Sequence, residues 1–215
     1  MNLLADSTFP FVDTRNVVGH GDLPSLLATY SRDAVLDLPF LRPHQHAPWH
    51  SFIVQLAAIA LHRGGCVGIP DEADAWREQL RGLTRKWPDD EPWRLVVSDV
   101  SKPAFMQPPV PEGTDDPHKT EVATPDDLDV LITSKNHGVK QGLAKSSQAA
   151  LWISALVVLQ TCGDYSKAGA QFGYFGSCRR NGQYATRPFT GLVPRGGIAA
   201  CCGIASFSDP RVRSR

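Results

Sequence analysis

The sequence predicts an α+β fold that is mostly helical and carries small antiparallel sheets. Three long segments place apolar residues at helical spacing, whereas the strand-like runs near the N-terminus are short. The chain has 215 residues, of which 42% are hydrophobic and 20% are charged. This composition is typical of soluble globular proteins, and the length allows one sizeable core or two small domains.

Two short strands and a short helix are predicted near the N-terminus. Residues 9–13 and 17–18 are rich in Phe and Val and are separated by a polar link. Residues 19–22 (GHGD) predict a turn, because glycine and aspartate favour turn conformations. A short helix is expected over residues 23–28, where Pro24 lies near the start, the position at which a helix tolerates proline.

Further helices and one strand are predicted after residue 48. Apolar residues between 49 and 62 recur at helical spacing on several sides, which predicts a helix buried on most of its surface and ended by Gly64 and Gly65. Thr124 and Pro125, followed by acidic residues, form a strong helix start. The predicted segments are helices at 49–62, 71–83, 124–132 and 146–161, a buried strand at 93–97, and a proline-rich extended connection at 101–121.

Opposite charges divide the chain near residue 130. Residues 1–130 carry 20 acidic and 11 basic side chains, a formal charge of −9. Residues 131–215 carry 2 acidic and 11 basic side chains, a formal charge of +9. The net charge of zero therefore conceals a basic half, and such asymmetry indicates a polyanionic partner.

Two stretches of the basic half are candidates for contact with nucleic acid. Residues 163–184 interleave glycines, aromatic residues and arginines. Glycine permits close backbone approach, arginine neutralises phosphate, and aromatic rings stack on bases. Lys135, Asn136 and His137 can donate hydrogen bonds to phosphates or base edges. The alternatives are a basic surface loop without a ligand for the first stretch and a solvated connection between helices for the second.

His44, His46 and His50 suggest a metal site, because two histidines one residue apart are a usable ligand pair for zinc or iron. No His-Glu-x-x-His motif completes such a site. The favoured interpretation is that Pro43 and Pro48 shape the start of a helix whose histidines cap backbone groups or lie at the surface.

No catalytic set stands out elsewhere in the sequence. Neither nucleotide-binding glycine motif is present. The carboxylate pairs at 89–90, 115–116 and 126–127 fall in predicted loops or at a helix start, where solvated or capping roles explain them. His137 and Cys162 are residue types of a nucleophilic pair, but nothing in the sequence brings them together. No catalytic set therefore rises above background, and we predict no cofactor and no metal.

Cysteine usage and hydropathy indicate a cytoplasmic protein that does not enter the membrane. Five cysteines in irregular spacing do not form a disulfide framework, which is typical of a reducing compartment. The longest apolar runs, 52–61 and 149–159, are too short to cross a hydrocarbon core of about 30 Å. The first residues lack the basic leader of a signal peptide.

A series of short segments occurs along the chain in a characteristic order. The segments are 3–4 (LL), 9–12 (FPFV), 41–50 (LRPHQHAPWH), 51–58 (SFIVQLAA), 87–93 (WPDDEPW), 102–107 (KPAFMQ), 129–137 (DVLITSKNH) and 181–189 (NGQYATRPF). Their order and spacing over roughly residues 1–193 resemble the CasA large subunit of Cascade, the type I-E CRISPR surveillance complex, although no one segment is diagnostic.

The resemblance implies a non-catalytic DNA-recognition subunit. In that family the large subunit checks foreign duplex DNA for the protospacer-adjacent motif, helps to start strand separation and offers a docking surface to the helicase-nuclease, while other subunits hold the guide RNA. One loop, after the helix matching residues 125–133, approaches the guide and the motif-proximal DNA; a glycine-rich loop contacts the minor groove. The corresponding residues here are Lys135, Asn136, His137, Gly169, Gly173, Gly176, Arg179, Arg180, Asn181 and Gly182.

The sequence also departs from that family. Phe9 stands where the family usually has Trp, residues 164–180 follow the family pattern poorly, and the resemblance ends after Pro194. Family members are much longer. We therefore expect residues 1–193 to be a partial CasA-like N-terminal domain and residues 194–215 an irregular tail of a truncated or frame-shifted member. The alternatives are a stand-alone nucleic-acid-binding or interaction module, or an inactive remnant.

Overall fold

The computed structural model confirms the α+β class, with helices and one three-stranded antiparallel sheet. It describes residues 1–99, 101–107, 109, 123–129 and 148–162. The described elements are β1 (Phe9–Asp13), β2 (Val18–Gly21), α1 (Leu23–Ser31), β3 (Val35–Asp37), α2 (His46–Gly64), α3 (Ala73–Leu83), α4 (Pro125–Leu128), α5 (Ala149–Cys162) and two 3-10 turns, Pro43–Gln45 and Glu91–Trp93.

Their contacts divide the described residues into two units. The sheet unit contains Leu4–Pro39 and His50–Lys86. The α5 unit contains Met1–Leu3, Phe40–Trp49 and the described residues from Trp87 onward. Helix α2 therefore contributes its first residues to the α5 unit and the remainder to the sheet unit.

The sheet has the strand order β2-β1-β3, and β1 is antiparallel to both neighbours. Strand β2 extends through Gly19, His20 and Gly21, so the turn predicted at 19–22 is wrong. The reason is close packing: a Cβ on Gly19 would lie 2.9 Å from Cζ of Phe11, its neighbour on β1. Glycine is needed here for strand approach and not for a turn.

Helices α1 and α3 pack together beside the sheet. Asp22 caps α1 by accepting a hydrogen bond from the backbone N–H of Ser25 at 2.8 Å, and proline occupies the first turn as predicted. Leu23, Leu26 and Leu27 are completely buried. On α3, Trp76 and Leu80 lie one turn apart and are also completely buried, which confirms the apolar face predicted for residues 71–83.

Helix α2 begins and ends close to its predicted bounds, but the prediction that it is buried on most sides is wrong. In the sheet unit, Ile53, Ala57 and Ala60 form one buried face, whereas Leu56 is half-buried and Ile59 is 47% exposed. The periodicity is blurred because apolar residues occupy several sides, and only tertiary packing selects which side is covered.

Residues 93–97 do not form the predicted strand. Trp93 ends a 3-10 turn, and Arg94 forms an isolated bridge with Asn2. The backbone N–H of Leu3 donates to the carbonyl of Trp93 at 2.8 Å, and that of Leu95 donates to the carbonyl of Met1 at 3.1 Å. This bridge does not continue into a ladder among the described residues, and Val96 is 72% exposed.

Helix α5, predicted at residues 146–161, carries many of the buried apolar side chains of its unit. Ile153, and residues 155–159 after it, are buried on successive sides of the helix. Helix α5 contacts α4 and the turn Pro43–Gln45. None of the described helices combines the length and the apolar character needed to cross a membrane.

Candidate functional site

The residues predicted to contact DNA or the guide lie outside the described residues. They are Lys135, Asn136, His137, Gly169, Gly173, Gly176, Arg179, Arg180, Asn181 and Gly182. The described residues that come closest to the first three along the chain are those of α4 and Asp129, which directly follows it. The candidate site is therefore the polar network around α4.

Two carboxylates at opposite ends of α4 bind the segment around the first 3-10 turn, more than 80 positions earlier in the chain. Asp126 accepts a hydrogen bond from Nη2 of Arg42 at 2.5 Å. Asp129 accepts from Nε2 of Gln45 at 2.7 Å and lies 2.9 Å from Nε2 of His44. We call these five residues the α4 clamp.

Short-range hydrogen bonds order each of the two chain segments that form the α4 clamp. Pro43 is the first residue of the 3-10 turn, and the side-chain oxygen of Gln45 accepts the backbone N–H of Arg42 at 3.0 Å. On the other side, the backbone N–H and hydroxyl of Thr124 both donate to the carboxylate of Asp127, which confirms the predicted helix start. Each half is thus ordered by its own short-range hydrogen bonds.

Helix α4 ends at Leu128, although the sequence predicted that it would run to about residue 132. Asp129 follows in an extended conformation, with φ −72° and ψ 108°. Its backbone N–H still donates to the carbonyl of Pro125 at 3.1 Å. The side chain of Asp129 is bound by His44 and Gln45, and this tertiary contact accounts for the early end of the helix.

Burial makes the α4 clamp energetically important. Asp129 is completely buried and Asp126 is 4% exposed, whereas the Arg42 side chain is 20% exposed. A buried carboxylate is costly unless hydrogen bonds or an opposite charge satisfy it, and both Asp126 and Asp129 are hydrogen-bonded here. Nη1 of Arg42 is buried and has no hydrogen-bond partner among the described residues. With both carboxylates engaged, the geometry favours a structural role for the clamp over acid–base chemistry.

The three histidines considered as metal ligands have different environments. His44 is bound to Asp129, His46 is exposed, and His50 is half-buried, with burial lowering its pKa. Within the described ranges, no group of three His, Cys, Asp or Glu side chains is arranged to hold a metal ion. The role observed for His44 is a side-chain contact with Asp129 that joins distant parts of the chain.

A second polar cluster lies in the same unit. Lys102 donates to Oε1 of Glu91 at 2.7 Å, and Asn2 donates to Asp90 at 3.0 Å. Glu91 is buried, and its Oε2 has no partner in the part of the chain that is described. These contacts join the N-terminus, the second 3-10 turn and residue 102.

Sequence reasoning missed the roles of Asp126 and Asp129. The pair 126–127 was predicted to be solvated or capping, which is correct for Asp127 and wrong for the buried Asp126. No local pattern could reveal these roles, because the partners of both carboxylates lie 84 or 85 positions away. The sequence showed that residues 42–45, just before the start of α2, are mostly polar, but this did not identify Asp126 and Asp129 as their partners.

Comparisons with known proteins add no assignment. No protein-family model, no curated protein and no solved structure matches the chain.

Proposed function

We propose that this chain is a subunit of an RNA-guided antiviral surveillance complex in the cytoplasm. In this role it recognises the protospacer-adjacent motif of foreign duplex DNA and helps to recruit the helicase-nuclease, without catalysing a reaction itself. The observation that carries the proposal is the ordered series of segments that resembles the CasA large subunit over roughly residues 1–193. Several segments in one order are a more specific signal than any single short motif.

The charge division supports the same role. The positive half of the chain contains both predicted contact stretches, and phosphate neutralisation supplies much of the affinity of DNA-binding proteins. The minor groove offers a degenerate hydrogen-bonding pattern, so glycine-rich backbone is suited to reading it by shape. Base pairing with a guide RNA held by other subunits would read the remaining sequence.

The α4 clamp adds a structural argument. The shared segment 129–137 begins at Asp129, a buried residue with two side-chain partners. A loop that selects one register on a duplex benefits from a fixed starting point, because contacts to phosphates position a protein only if the contacting groups are themselves positioned.

A second candidate function is a stand-alone nucleic-acid-binding module. The charge division favours it, because a chain whose second half carries a formal charge of +9 can bind polyanions without partner subunits. Such a module would bind DNA or RNA alone, without preference for a short motif, and its affinity would fall steeply with salt.

Co-purification with the other Cascade subunits and a guide RNA separates these functions. The full chain is expressed with them, and the purified assembly is mixed with duplexes that differ only in the motif beside the target. Entry into the complex and motif-dependent binding are expected. A chain that stays out of the complex yet shifts both duplexes equally would replace the proposal by the stand-alone module. If it does neither, the resemblance describes ancestry alone.

A further inference from the structure

Polar contacts, more than apolar burial, hold α4 in place. Within residues 123–129 the buried residues are Pro125, Asp126 and Asp129, so proline supplies the one fully buried apolar side chain of this segment. By contrast, α5 buries an apolar side chain at every position from 155 to 159. Segments with few buried apolar contacts open at a lower free energy than the core to which they are attached.

Helix α4 also has little stability of its own. It contains four residues, and a single helical turn is unstable in isolation because nucleation fixes several residues for one hydrogen bond. Its position therefore depends on the α4 clamp and on packing against α5. The donors of the clamp are all side chains of the segment Arg42–Gln45. Helix α4 can consequently separate from this segment without breaking backbone hydrogen bonds of the 3-10 turn or of α2.

The closed clamp carries an unsatisfied donor. Nη2 of Arg42 binds Asp126 at 2.5 Å, but Nη1 of the same guanidinium is buried and has no hydrogen-bond partner among the described residues. A buried donor without an acceptor costs free energy that contact with water recovers. Separation of α4 would hydrate this guanidinium together with the carboxylate of Asp126. The attached state thus bears a cost that a detached state does not.

We propose that α4 is a latch, which detaches from the segment Arg42–Gln45 and from α5 while the rest of the described α5 unit stays folded. The open state uncovers the part of α5 that α4 contacts and releases the Arg42 guanidinium to solvent. This device is independent of the proposed function. A partner that binds the uncovered part of α5 would shift the population toward the open state, because it binds one of the two states better.

Native-state hydrogen exchange of the full chain, followed by NMR at low urea concentrations, separates latch opening from unfolding. The reporter is the amide of Asp129, which donates to the carbonyl of Pro125 at 3.1 Å. We expect this amide to exchange about a hundredfold faster than the amides of residues 155–159, and with little dependence on urea, because local opening exposes little surface. Equal rates and equal urea dependence at these sites would overturn the proposal.

Two variants test which contacts hold the latch. Arg42→Met removes the guanidinium that binds the buried carboxylate of Asp126, so the Asp129 amide should exchange about tenfold faster. Lys102→Met is the matched control, because it breaks the bond to Glu91 in the same unit but outside the clamp. This control destabilises the attached and detached states equally. It should therefore accelerate exchange in α5 and leave the Asp129 amide unchanged.

Two outcomes of the variants would reject the latch. If Lys102→Met accelerates the Asp129 amide as much as the amides of α5, α4 detaches only when the unit unfolds. If Arg42→Met leaves the Asp129 amide unchanged, the ion pair does not hold α4. Should Arg42→Met not fold, Asp126→Asn takes its place, since the amide keeps the shape of the carboxylate and removes its charge. The same acceleration is expected, and unchanged exchange would equally overturn the proposal.

Discussion

Asp22 and Arg77 form an ion pair in the sheet unit, and both side chains make further hydrogen bonds. Asp22 caps α1 and accepts from Nη2 of Arg77 at 2.7 Å, and this hydrogen bond raises the pKa of Arg77. Nε of Arg77 also donates to the carbonyl of Leu4 at 2.8 Å. One guanidinium thus joins α3 to the start of α1 and to the residues that precede β1.

The change Asp22→Ala should therefore lower the free energy of unfolding by about 2–3 kcal/mol, because it removes a helix cap and a buried ion-pair partner together. Urea denaturation measures the difference. Asp74→Ala is the matched control: Asp74 binds the same guanidinium, but its side chain is 93% exposed, so a decrease below about 0.5 kcal/mol is expected. Equal decreases in both variants would contradict the importance of burial.

The lowered pKa of Glu91 predicts a pH-dependent contribution of this residue to the free energy of unfolding. The hydrogen bond from Lys102 holds the pKa of Glu91 below its ordinary value of 4.5. The folded protein therefore binds fewer protons than the unfolded chain as the pH falls below 4.5, and the stabilisation present above that pH disappears as the pH approaches the lower folded pKa.

Lys102→Met should remove this contribution. The variant should be less stable than the unmodified protein near neutral pH, and the two curves of unfolding free energy against pH should converge in acid. Arg85→Gln, an exposed change in the other unit, should leave the acid slope unchanged. A constant difference between the Lys102→Met and unmodified curves across the acid range would show that Glu91 does not titrate as argued.

At the scale of elements, the end of α2 is set by a single backbone conformation. Gly65 follows the helix with φ +65°, where residues with a side chain are strained, and a Cβ placed there would contact nothing within 4 Å. Gly65→Ala should therefore cost about 1 kcal/mol through the backbone alone. Gly68→Ala is the control, because the space around Gly68 is equally open but its φ is not positive. Thermal denaturation should show that this control changes the free energy of unfolding by less than about 0.5 kcal/mol.

Helix α4 illustrates the opposite case, in which tertiary contacts override local signals. Its start at Thr124 and Pro125 follows from capping chemistry. Its end at Leu128 does not, because the partners of Asp129 come from the 3-10 turn. The segment 93–97 was mistaken for a strand for a related reason: apolar β-branched residues indicate a strand only where a partner strand exists.

At the scale of the whole molecule, the division of charge predicts how the proposed DNA binding depends on salt concentration. Lys135→Ala, or the double change Arg179→Ala with Arg180→Ala, should weaken binding and reduce the slope of log affinity against log salt by about 0.9 for each phosphate that is no longer neutralised. Arg85→Ala is the control, since it removes an exposed cation from the acidic half. An unchanged slope in the basic-half variants would reject their assignment as phosphate-binding residues.

The sequence by itself determined the α+β class, helices α1, α2, α3 and α5, the start of α4 and the first strand, because periodicity and capping act over a few residues. It also placed opposite charges in the two halves. Tertiary structure alone decided which side of α2 is buried, where α4 ends and what binds Asp126 and Asp129. These outcomes depend on partners that lie far apart in the chain, and a buried carboxylate is satisfied by whichever donors the fold brings to it.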